Sequence, residues 1–363
     1  MALRSRADDD RLVTQVAGIC ARAQEPLVLL ERVAAAVRRH VPYDVAGWLL
    51  VDPDTLLING VYEEDVPRQA QLGLIELELG SHGDDLNKFV DLGRAKVPAA
   101  ALSATTGGHL ERCLRWTRIY DPEGFGDELR TVFRTGAVMW GHACLTRLAE
   151  EPWFSRREVD VVARLSPHVA HGIRTGLLLH EEWSEEAHRD DGPGLVVLDD
   201  DGGVESATPD ALERLGPVED GRLDGSVVVH EVAAQARALA ERCVSGPPAV
   251  ARARAVTGEW LLVRGTRLAG PSGRTAVLVE PARRSDVAPL LLHLHELTAR
   301  EREVTQLLLT GMSTADIAQQ LWITSETLRG HVKAIFAKLG VGSRVELVAR
   351  LSHEPRVRSA RGS

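Results

Sequence analysis

The chain has 363 residues, too many for one ordinary core and suited to two or three domains. Its 52 Asp and Glu outnumber 43 Lys and Arg, giving a net charge of −9. No stretch approaches the ~18 to 20 apolar residues of a membrane helix, and the opening M-A-L-R-S-R-A-D-D-D turns to charge where a signal peptide is apolar, so a cytoplasmic protein is expected. Cys20, Cys113, Cys144 and Cys243 lack C-x-x-C spacing, which indicates neither a disulfide framework nor a zinc site. G-x-x-x-x-G-K-[ST], G-x-S-x-G and H-E-x-x-H do not occur. No catalytic residue, metal or cofactor is therefore expected. Only four of the basic residues are lysine, which points to a GC-rich bacterial coding sequence.

Leu27, Leu30, Val33, Ala34 and Val37 recur at helical spacing between Glu25 and His40, and Val41-Pro42 ends that helix. Ala46 to Val51 and Leu57 to Tyr62 flank the turn-rich D-P-D-T and predict a hairpin. Helical segments are expected at Pro67 to Glu78 and His109 to Tyr120, then strands at Glu128 to Arg134 and Ala137 to Arg147. Ser155 and Glu158 form a capping box for a long helix reaching about Trp183. This order, with W-G-H-A-C-L-T-R before F-S-x-x-E-V, is similar to GAF domains of bacterial sensor proteins. The resemblance implies a ligand pocket between sheet and helices. Trp48, Tyr62, Trp116 and Trp140 are candidate lining residues for a small-molecule effector; the competing reading makes such aromatics core.

The polar, Gly/Pro-punctuated run from Glu181 to Gly194 separates this module, residues 1–185, from a second at 194–283. Strands are expected at Leu195 to Asp199 and Val204 to Ala207, helices at Pro209 to Leu215 and Val227 to Val244, and strands at Ala249 to Val256, Trp260 to Leu268 and Thr275 to Val279. Order and size are similar to a PAS domain. No internal sequence repeat relates the two modules. Residues 284–296 are short and apolar, a stiff connector.

Residues 297–353 carry the densest punctuation. Thr298 and Glu301 make a capping box, Gly311 stops a helix, Ser313 and Asp316 cap a second, and Thr324 caps a third. The third places Leu328, Val332, Ile335 and Leu339 on one stripe and Glu326, Arg329 and Lys333 opposite. The turn around Trp322 makes the pair a helix-turn-helix; Met312 and Trp322 are expected in the core. From Leu291 onward ten basic residues meet seven acidic ones, so an acidic body carries a basic tip that ends in a basic disordered tail, 354–363.

L-T-A-R-E-R-E-V, then Ile323, Thr324, Thr327, Leu328, Arg329 and His331, then Lys338, Leu339, Gly340, Val341 and Arg344 closely resemble the C-terminal domain of the LuxR/FixJ/NarL regulators. The fold expected is thus α+β multidomain: two α/β sensory modules with antiparallel sheets, followed by an all-α tetrahelical helix-turn-helix domain. The resemblance implies double-stranded promoter DNA in the major groove, a homodimer formed largely by the last helix, and RNA polymerase as a partner. It maps base contacts onto Arg329, Gly330 and Lys333, with Thr327, His331 and Lys338 as backbone contacts or supports. Gly330 departs from the family, whose members usually carry a side chain there.

The function expected is a one-component transcription regulator under small-molecule control. The alternatives are a protein-interaction sensor, or a GAF-like thiol enzyme using Cys113 or Cys144 with DNA binding secondary or lost. The pairs His142/Cys144 and His168/His171 have too few partners at ligand spacing to indicate a metal.

Overall fold

Side-chain periodicity and capping set most element boundaries in the computed structural model, which describes residues 6–79, 85–179, 192–219, 222–223, 227–241, 249–255, 257–270 and 273–352. The end of the helix expected to reach Val244, Cys243, the linker around Trp183 and the basic tail lie outside these residues. The chain divides into two compact units, Met1–Pro281 and Ala282–Ser363.

The first unit opens with α1 (Arg6–Cys20) and α2 (Pro26–Arg38), then β1 (Val45–Val51) and β2 (Ile58–Glu64). α3 (Arg68–Leu79), α4 (Phe89–Arg94), β3 (Ala99–Ala101) and α5 (Leu102–Thr106) follow, then β4 (Phe125–Thr135), β5 (Val138–Leu148) and α6 (Arg156–Leu179). Pro at the first turn and the Glu25 carboxylate, which accepts from the Val28 N–H, start α2. The Ser155/Glu158 box starts α6 as expected: Ser155 N donates to Glu158 Oε2 at 2.8 Å, and Glu158 N to Ser155 Oγ at 3.3 Å. Gly172 and Gly176 let α6 approach closely, since a Cβ at Gly176 would lie 2.4 Å from the Gln24 carbonyl oxygen.

One expected element differs. The helix predicted over His109 to Tyr120 is a 3₁₀ turn, Leu110–Arg112, followed by a π-helical turn, Trp116–Tyr120. Between them Arg115 is fully buried, ion-paired with Asp85 and, at 2.7 Å, with Glu128. Satisfying that inward guanidinium takes precedence over helix continuity.

The first sheet runs β2-β1-β5-β4-β3, with every neighbouring pair antiparallel. The second module contributes β6 (Gly194–Leu198), β7 (Val204–Ala207), α7 (Pro209–Leu215), a two-stranded hairpin of β8 (Val218–Glu219) and β9 (Arg222–Leu223), α8 (Val227–Glu241), β10 (Ala249–Arg254), β11 (Trp260–Arg267) and β12 (Thr275–Pro281). Its sheet runs β10-β11-β12-β6-β7, again antiparallel throughout. Numbered within each module, both sheets have the order 2-1-5-4-3, a shared topology without a sequence repeat.

The modules interlock. Leu57 of the β1–β2 connection sits in the apolar core of the second module, while Val227 of α8 packs on the core of the first. Arg252 of β10 pairs with Asp52 at 2.7 Å and Asp54 at 3.1 Å, and the Asn59 amide donates to the Arg252 carbonyl.

The second unit is all helical: α9 (Arg284–Leu294), α10 (Ala299–Leu309), α11 (Thr314–Gln320), α12 (Ser325–Leu339) and α13 (Arg344–Ser352). The apolar connector is thus a helix of its own. α9 buries Val287, Leu290, Leu291, Leu292 and Leu294 and packs against α13, adding a fifth helix to the four expected.

Candidate nucleic-acid interface and internal cavity

The caps that sequence indicated are formed. Thr298 Oγ1 accepts the Glu301 N–H while Glu301 Oε2 accepts the Thr298 N–H at 2.7 Å; Ser313 caps α11, and Thr324 Oγ1 accepts the Thr327 N–H at 3.1 Å. Leu328, Ile335 and Leu339 of α12 are buried with Val304, Leu308, Ile317, Leu321, Leu347 and Leu351, and Val332 is half-buried. Thr327, Arg329, Gly330 and Lys333 are exposed, and His331 is half-buried.

Among the described residues, several basic side chains of this unit are engaged internally. Arg300 donates to the Leu321 carbonyl, Arg344 to that of Leu308 and Arg350 to that of Leu339, each neutralising a helix C-terminus. Lys338 donates to Glu301 at 2.6 Å and to the Glu296 carbonyl at 3.0 Å, which ties the end of α12 to the start of α10. Burial works against the Glu301 charge, yet Lys338 and the Thr298 bonds outweigh it and hold the carboxyl below its ordinary range. Arg329 is different: its side chain is 74% exposed, with Glu326 as an ion-pair partner at 3.1 Å. With Lys333 one turn on, α12 offers an open cationic face.

Trp322 corrects an expectation. It is 94% exposed, and its φ is 54°. α11 needs a left-handed residue to swing the chain into α12, with Trp322 N donating to the Gln319 carbonyl and Ile323 N to that of Ala318. A side chain there projects outward, and a tryptophan accepts the left-handed backbone at a cost of about 1–2 kcal/mol that glycine avoids. Met312 is half-buried.

In the first unit a cavity of about 740 Å³ lies between the first sheet and α3 and α4. None of the four expected aromatics lines it. Gly47 and Leu49 of β1 do, so Trp48 between them points to the other face, and Tyr62 is its cross-strand partner. There Trp48 stacks on Phe133 at 5.9 Å, and Trp140 is as deeply buried. Trp116 donates its indole N–H to the Gly126 carbonyl. Trp48 and Trp140 are core and Tyr62 and Trp116 are half-buried, while aliphatic side chains of β1, β2, α3 and β5 line the cavity.

Arg130 and His142 belong to its polar lining, with Glu63, Asp65, Glu78 and Lys88. Arg130 pairs with Glu78 at 2.7 Å and Glu128 at 2.9 Å and lies over the Phe89 ring, which stacks on His142 at 3.5 Å. Burial opposes charge on Glu128, but Arg115 and Arg130 prevail and bring its carboxyl down to about 2. Burial, and then Arg130, lowers the His142 imidazole well below its ordinary range.

Cys144 shares the His142 face as expected, but burial and then repulsion from Glu128 push its thiol up to about 11. Burial likewise raises Cys113, which lies 3.1 Å from Asp85. A nucleophilic thiol needs the opposite setting, exposed and electropositive. Among the described residues no group of three His, Cys, Asp or Glu is placed to hold a metal, and no helix is long and apolar enough to cross a membrane.

The family model for bacterial regulatory proteins of the luxR family matches residues 295–351. The spore germination protein GerE of Bacillus subtilis is 44% identical over 55 residues, covering 15% of this chain and 74% of GerE. A Mycobacterium bovis protein named as an HTH-type transcriptional regulator is 44% identical over 52 residues, 14% of this chain, but the match spans only 6% of that much longer protein. Among solved structures, the GAF domain of an Acinetobacter phosphoenolpyruvate-protein phosphotransferase aligns with 48% of this chain and 98% of its own, at 12% identity and a TM-score of 0.34. A Vibrio cholerae VqmA dimer aligns with 44% of this chain and 81% of its own, at 18% identity and a TM-score of 0.23. By its helix-turn-helix unit, the chain belongs to the luxR family of bacterial regulatory proteins.

Proposed function

We propose that the protein is a cytoplasmic one-component transcription regulator that reads promoter DNA through α12 as a homodimer, with GAF-like and PAS-like modules binding a small-molecule effector. The observation that carries this reading is the open cationic face of α12 within a family-matched helix-turn-helix, since every other basic residue named in that unit is engaged internally. Arg329 is the residue suited to bidentate contact with guanine, with Lys333 beside it and Thr327 and His331 toward the phosphates. Lys338 supports the fold of the unit and is not a DNA contact in this reading.

Dimerisation is supported by α13, where Val345 is 78% exposed on the side opposite Leu347 and Leu351. Two half-sites then multiply the affinity of one small domain. RNA polymerase is the protein partner that family membership suggests. The cavity of the first module supports effector binding.

Arg329→Ala tests the reading. On a selected DNA site it is expected to cost about 1–3 kcal/mol and relax base preference at one position. Equal losses on specific and random duplexes would remove Arg329 from base reading.

A further inference from the structure

The cavity of the first module is closed in part by a helix of the second: Val227, His230, Glu231 and Gln235 of α8 line it beside the sheet. Three of its lining side chains each keep a buried polar atom without a hydrogen-bond partner, namely Thr55 Oγ1, His142 Nδ1 and Glu231 Oε1. Orphaned buried polar atoms are uncommon in folded proteins, and three around one cavity point to a missing polar partner. The other Glu231 oxygen is already engaged, accepting the Ile58 N–H at 3.4 Å.

The chemistry of the partner follows from the charge state of this wall. Burial pushes the Glu231 carboxyl up to about 8, the Ile58 N–H opposes that rise, and Glu78 adds to it. Near neutral pH Glu231 is therefore a carboxylic acid with a proton to donate, and His142 is a neutral imidazole. Of the lining cations, Arg130 is already matched by Glu78 and Glu128, and Lys88 donates to the Glu78 carbonyl at 3.1 Å, with the Glu63 and Asp65 carboxylates also in the lining. Leu49, Ile58, Val61, Ile75 and Met139 supply the apolar remainder, in a volume suited to a drug-sized molecule.

We propose that this cavity binds an uncharged, largely apolar molecule carrying a carbonyl-type acceptor, which takes a hydrogen bond from Glu231 of α8 and a second contact from His142 of β5, so that one ligand bridges the two modules. The inference rests on the effector reading above and adds the class of ligand and the part played by the second module. A ligand held from both sides favours one arrangement of the modules, which is what control of the helix-turn-helix unit requires.

The test is titration calorimetry of the full chain with three matched probes, naphthylacetamide, naphthylacetate and naphthylethylamine, on the wild type, Glu231→Gln and Glu231→Leu, with circular dichroism to establish that each variant folds. The amide is expected to bind best. Glu231→Gln keeps a donor and should hold the amide within about threefold, whereas Glu231→Leu should weaken it by about tenfold or more. Preference for the amine, lost in Glu231→Gln, would mean an ionised Glu231 and would overturn the uncharged class. Amide binding that is indifferent to all changes at Glu231 would overturn the bridging role while leaving the cavity a binding site. No binding of any probe would contradict the ligand class, and the effector reading would then be decided by Val61→Phe, which narrows the cavity: unchanged DNA affinity in that variant would contradict it.

Discussion

Gly330 stands beside Arg329 on the exposed side of α12, and a methyl group there would meet nothing within 4 Å. Alanine therefore fits, and by restricting the unfolded chain it should stabilise the helical unit by about 0.5–1 kcal/mol in urea unfolding. If glycine is present so that DNA can approach closely, the same variant binds its site more weakly despite greater stability; unchanged binding would mean that Gly330 only omits a contact. At this scale the sequence was legible wherever the determinant is local. The caps at Thr298, Ser313 and Thr324 bond to residues three positions on, and all three formed. The aromatics were not legible in the same way. Alternation puts Trp48 and Leu49 on opposite faces, but nothing local says which face holds the cavity.

Among elements, α12 is held by its ends as much as by its apolar stripe. Lys338 bonds to Glu301 and to the Glu296 carbonyl, so Lys338→Ala should destabilise the helical unit by about 1 kcal/mol and leave the salt dependence of DNA binding unchanged. A flattened salt slope in that variant would instead make Lys338 a phosphate contact. Long, periodic elements such as α6 and α8 were readable from sequence, whereas α4, β3 and the break at Arg115 were not. β3 is three alanines with little strand preference, paired only because β4 presents an open edge. α1 was missed although Leu12, Val16 and Cys20 lie four apart and are buried.

In the whole molecule, long-range contacts decide what sequence could not. Leu57 enters the core of the second module, and α8 brings Glu231 to a cavity whose other walls come from the segment β1 to β5 of the first. The folded Glu231 carboxyl keeps its proton up to about 8, while an unfolded glutamate releases it near ~4.3. The folded state thus holds more protons across that interval, and this contribution to stability, on the order of a few kcal/mol, is lost as pH rises through it. Urea midpoints between pH 5 and 9 should therefore decline more steeply in the wild type than in Glu231→Gln; parallel profiles would place an ionised carboxylate at that site.

Whether α12 reads sequence is decided by footprinting of the full chain on genomic DNA fragments across a salt series with competitor. Base reading by α12 should give a selective footprint of two related half-sites that persists as salt weakens non-specific binding. Protection that is uniform across fragments and vanishes with the competitor at every salt concentration would contradict it.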